Sequence, residues 1–112
     1  MTVEKERRQL ERVELGCPIT LVASGGVSEI HGRTLDINDG GACFVPAEGR
    51  MPNPGQKFKM KLALPRQNAN TYFLEHFVGS AEVVWMEESA EGKDGGWRIA
   101  IRFIPEISLD IQ

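Results

Sequence analysis

The sequence predicts an all-β domain, a six-stranded antiparallel β-barrel with a mobile N-terminal arm. Three observations predict it. Apolar and polar residues alternate with period two in several runs. Clusters of Gly, Pro, Asn and Asp separate those runs at short intervals. No stretch carries the apolar spacing of a long helix. A chain of 112 residues is one domain. Half-buried strands on so short a chain either stack as a sandwich or close into a small barrel. Closure hides the strand edges and is preferred here.

The first 15 residues read as the arm. Glu4, Lys5, Glu6, Arg7, Arg8, Glu11, Arg12 and Glu14 leave only Leu10 and Val13 as apolar anchors between positions 4 and 14. The barrel is expected over 16–105. After Pro18, Ile19, Leu21 and Ala23 form a strand, and Ser24-Gly25-Gly26 turns the chain. Glu29 to Ile37 is the second strand. Asp36-Ile37-Asn38-Asp39-Gly40-Gly41 is a dense turn signal, and Ala42-Cys43-Phe44-Val45 is a short third strand. Three prolines and two glycines make 46–56 a loop.

Lys57 to Leu64 is the clearest strand, with Phe58, Met60, Leu62 and Leu64 on one face and three lysines on the other. The lysine row reads as a solvated outer face. Pro65 to Asn70 reads as a loop and Tyr72 to Met86 as a long strand, with Gly79 a candidate bend or bulge. Asp94-Gly95 closes a hairpin. In the final strand Trp97, Ile99, Ile101 and Phe103 face inward, and Trp85 joins them in the expected core. Residues 106–112 form a C-terminal tail.

Composition narrows the function. Thirteen Lys+Arg against 16 Asp+Glu leave a net charge of −3, so duplex nucleic acid is not an expected partner. No run of 18 apolar residues exists, and the charged start lacks a signal-peptide core, so a cytoplasmic location is expected. Cys17 and Cys43 are too far apart for a CxxC pair and read as buried free thiols. His31 and His76 do not complete a metal set, so no metal and no cofactor is expected. The sequence has no GxSxG, no HExxH and no P-loop, and Glu87, Glu88 and Asp110 read as solvated charges, so an enzyme is not expected.

Two patches carry chemistry. Arg8 and Arg12 form RxxxR, two planar forks suited to phosphate oxygens and able to stack on or bond a guanine. Asp36 offers a carboxylate that can accept two hydrogen bonds from a guanine edge, and Asn38 both donates and accepts. Glycines such as Gly41 permit tight turning and close approach of a ligand. The patches lie 24 positions apart, from Arg12 to Asp36.

In this order and at this spacing the patches resemble the PilZ domain family, whose pattern is RxxxR followed by Asp/Asn-x-Ser-x-x-Gly. Arg8, Arg12, Asp36 and Gly41 match, and Asn38 replaces the Ser. The ending Trp97-Arg98-Ile99-Ala100-Ile101-Arg102-Phe103 is similar to the family's last barrel strand. The resemblance implies a bacterial, barrel-shaped receptor for cyclic di-GMP. It implies Arg8 and Arg12 as the clamp on phosphate and guanine, Asp36 and Asn38 as base readers, and Gly41 as the close-approach residue. Arg7 adds a third guanidinium, consistent with the ligand dimer that some members bind. Loss of one neutral hydrogen bond costs about 1 kcal/mol, so Ser→Asn weakens binding without abolishing it.

The expected mechanism is ordering of the arm on ligand binding, read by an effector protein. The chain is expected to be a monomer or weak homodimer. The alternatives are a PilZ-like adaptor that acts through protein contacts alone, and a barrel for single-stranded nucleic acid. The second would need outward aromatic residues on a basic face.

Overall fold

Period-two alternation decides the wall of the molecule. The structure, a computed structural model, describes residues 13–23, 29–47, 51–88 and 96–110. Six strands follow in chain order: β1 Pro18–Ala23, β2 Glu29–Asn38, β3 Gly41–Pro46, β4 Lys57–Asn68, β5 Thr71–Glu88 and β6 Trp97–Ile104. They close in the order β1-β2-β3-β6-β5-β4. Every neighbouring pair is antiparallel. β1 closes the ring by pairing with both β2 and β4. The expected turns at Ser24-Gly25-Gly26 and Asp94-Gly95 lie outside the described residues.

The inward side chains fill the barrel. Phe44, Ile37, Met60, Leu62, Leu64, Val83 and Ile99 are at most 1% exposed. Burying a side chain of this kind contributes about 1.5–3 kcal/mol. Leu109 is also fully buried and joins the same cluster, so the segment after β6 returns to plug the barrel. Arg66 holds it there. Its Nη1 donates to the Asp110 carbonyl at 3.1 Å, its Nη2 to the Leu109 carbonyl, and its Nε to Glu75 Oε1 at 2.8 Å.

Several expectations need correction. Residues 65–68 are strand, not loop: β4 and β5 form one ladder from Lys57↔Glu82 to Asn68↔Thr71. Pro65 is tolerated because β1 pairs with β4 only as far as Leu62, so the missing N–H falls on an open edge. The bulge in β5 is not at Gly79, whose ladder is unbroken, but between Val83 and Trp85. That extra residue turns Trp85 outward, and it is 43% exposed rather than core. Trp97 is half-buried, whereas Phe103 is in the core as expected. Lys57, Lys59 and Lys61 are exposed, and Cys17 and Cys43 are buried free thiols.

The lead-in to β1 is strapped along β2. Val13 and Ile37 exchange two backbone hydrogen bonds of 2.9 Å. Thr34, 3% exposed, accepts from the Cys17 N–H at 2.7 Å and donates to the Leu15 carbonyl. Burial pushes the Cys17 thiol up, opposed by its Thr34 contact and the Arg33 charge, so it stays protonated near neutral pH. Replacing Thr34 by Val keeps the shape and strands the buried Cys17 N–H. The expected cost is about 1–3 kcal/mol, read as a lower midpoint in urea unfolding with an unchanged slope.

Candidate ligand site

The β2–β3 connection is built by its own side chains. Asn38 Oδ1 accepts from the N–H groups of Gly40 and Gly41, both at 2.9 Å. This is a side-chain cap on a tight turn, a role that a short amide performs well. It occupies the Asn38 carbonyl oxygen and leaves the amide NH₂ as the group able to meet a ligand. Asp39 ties the turn to the C-terminal segment. Its carbonyl accepts from Ile107 N at 3.0 Å and its Oδ1 from Leu109 N at 3.1 Å.

A bulge between Thr34 and Asp36 sets which residues face out. Thr34 and Ile37 are both buried, with Leu35 at 41% exposure and a half-buried Asp36 between them. One extra residue there reverses the alternation, sends Ile37 into the core and puts Asp36 and Asn38 on the same outer face.

Cross-strand register then assembles two outer rows. Asn38 pairs with Gly41, Gly41 with Arg102, and Arg102 with Glu82. Asp36 pairs with Cys43, Cys43 with Ala100, and Ala100 with Trp85. Cys43 and Ala100 alternate with the core residues Ala42, Phe44, Ile99 and Ile101, so their side chains point to the outer face, where both are nonetheless buried, at 7% and 4% exposure. The result is a floor of small residues, Gly41, Cys43 and Ala100, edged by Asp36 and Asn38 on one side and Trp85 and Arg102 on the other. Four adjacent strands span about 14 Å. Arg102 is held by Glu82 Oε1, at 2.8 Å from Nε and 2.6 Å from Nη2, and its side chain is 62% exposed.

Gly41 has a packing reason of its own. It does not have positive φ; among the described glycines Gly55 does. A Cβ on Gly41 would lie 2.2 Å from the Ile101 carbonyl oxygen and 3.1 Å from Arg102 Cα. The close approach it permits in this structure is that of β6. Arg7, Arg8 and Arg12 lie outside the described residues. Trp85, Arg102 and Asp39 were not among the residues expected from sequence. The alternation places Trp85 inward, and nothing in one-dimensional spacing brings Arg102 beside Asn38.

Two solved structures share this architecture. The Bacillus subtilis inhibitor of motility MotI/DgrA superposes with a TM-score of 0.69 at 17% identity, over 88% of this chain. The chain spans 42% of that protein's length. A model of the PilZ domain matches residues 6–111. The chain belongs to the PilZ domain family. The PilZ domain of Escherichia coli YcgR, solved with c-di-GMP, superposes with a TM-score of 0.58 at 15% identity, over 91% of this chain and 77% of that one. No curated protein matches the chain. PilZ domains are receptor and adaptor domains for cyclic di-GMP and are not enzymes. Among the described residues no helix is long and apolar enough to cross a membrane.

Proposed function

We propose that this PilZ domain binds cyclic di-GMP between its arginine arm and the outer rows of β2, β3, β6 and β5, and that an effector protein reads the result. The observation that carries it is the Val13–Ile37 bridge. Val13 is bonded to Arg12, and Ile37 stands between Asp36 and Asn38. The chain therefore joins one motif to the other at a single backbone pairing. Val13, the residue covalently bonded to Arg12, therefore sits beside both base readers.

Each group has a part. Arg8 and Arg12 clamp phosphate and guanine, with Arg7 available to a second ligand molecule. The Asp36 carboxylate accepts from the guanine N1–H and N2–H₂, and the Asn38 NH₂ donates to the ligand. Trp85 offers a ring for stacking and Arg102 its spare N–H groups, across a floor with little side-chain bulk. The ligand orders the arm against the barrel, and the new joint surface is what a partner recognises in the cytoplasm of a bacterium.

Isothermal titration of the folded protein with cyclic di-GMP tests the reading. A saturable heat with one or two ligands per chain is expected. A folded sample at tens of micromolar that gives no heat leaves the adaptor without nucleotide as the function. The outward Trp85 does not revive the single-stranded nucleic-acid alternative, because its row holds Asp36, Cys43 and Ala100 and no basic residue.

A further inference from the structure

The β4–β5 hairpin outruns the ring. β1 reaches β4 only as far as Leu62, and β6 reaches β5 only from Ser80 onward. Residues 63–79 therefore project with an open edge on each side. The two edges differ. The β4 edge carries Pro65, which blunts it against strand addition. The β5 edge, Thr71–Gly79, has neither Pro nor Lys, and no backbone hydrogen bond reaches it among the described residues.

The direction of its backbone groups follows from one end of the ladder. Val83 donates to the Gln56 carbonyl at 2.9 Å and accepts from Gly55 N at 2.7 Å, both toward β4. Alternation in an antiparallel strand then turns the N–H and C=O of Tyr72, Leu74, His76 and Val78 to the open edge. The outward side chains are those of the same residues, and Tyr72, Leu74 and Val78 are 77%, 50% and 73% exposed.

The strand is also symmetric about its middle. Around Glu75 the order is Tyr72-Phe73-Leu74 on one side and His76-Phe77-Val78 on the other. We propose that two copies of this chain pair antiparallel through their β5 edges over Thr71–Gly79, with the two-fold axis at Glu75. Tyr72 of each copy then faces Val78 of the other, Phe73 faces Phe77, and Leu74 faces His76. Aromatic–β-branched and aromatic–aromatic pairs are favourable cross-strand neighbours. The two Glu75 carboxylates meet on the axis, and each is already neutralised by its own Arg66 at 2.8 Å. An isologous contact of this kind closes on itself, so it yields a dimer and not a fibre. It leaves the outer rows of β2, β3 and β6 uncovered, so it stands or falls independently of nucleotide binding.

Sedimentation equilibrium of the full chain tests association, and the mass is expected to rise from one chain to two as concentration increases. Leu74→Pro removes an edge N–H that β4 does not use, and is expected to hold the protein at one chain. Register is tested by single cysteines. Positions 75 face each other at about 4.5 Å between Cα atoms, within disulfide range, whereas positions 76 are offset beyond about 7 Å. Glu75→Cys is expected to form a covalent dimer on mild oxidation and His76→Cys is not. The native Cys17 and Cys43, 0% and 7% exposed, do not compete. A wild-type mass of one chain at every concentration, or equal cross-linking at 75 and 76, overturns the proposal.

Discussion

Replacing Arg8 or Arg12 by alanine is expected to weaken cyclic di-GMP binding by about tenfold or more, and to leave the melting temperature within roughly 4 °C of wild type. The loss follows from the charge-assisted bonds a guanidinium makes to a phosphate, which alanine cannot make. The small thermal effect follows from the chemistry of arginine, a charged side chain that is almost never fully buried in an apolar core. Calorimetry and a thermal scan on the same samples check both halves. A variant that unfolds assigns the arginine to structure. A variant that binds as well as wild type removes the clamp from the proposed site.

Gly41→Ala carries the largest effect on stability, and separates a packing role from a ligand role at a motif position. The added Cβ meets the Ile101 carbonyl oxygen at 2.2 Å, backbone that no rotamer change can move aside. β3 and β6 must part at the end of a ladder that holds only four residue pairs. Overpacking of this kind costs about 1–3 kcal/mol or more, a fall in melting temperature of roughly 4–20 °C for a domain of this size. Titration well below the new midpoint then shows whether affinity changes once the fold is populated. An unaltered melting temperature with lost binding would instead place Gly41 against the ligand.

The fold class was legible in the sequence because each wall residue announces its side by its neighbours. Phe58, Met60, Leu62 and Leu64 alternate with lysines, and the structure buries the four and exposes the lysines. Polarity misled where the chain leaves the barrel. Residues 65–70 look like a loop because Pro65, Arg66, Gln67 and Asn68 have no core to face, and their strand geometry comes from pairing with β5. The site was legible as two motifs and illegible as a surface. Arg66 and Asp39 show why: each fastens the C-terminal segment at a sequence distance that no local pattern encodes.

By itself, the sequence determined the antiparallel strands, their inward residues and the motif order that identifies the family, since these depend on local alternation and spacing. The tertiary structure alone decided which chemistry shares a face. Two bulges, one before Asp36 and one before Trp85, each shift an alternation by one residue. A single extra residue reverses the side of every residue after it, and only the partner strand reveals that it is extra.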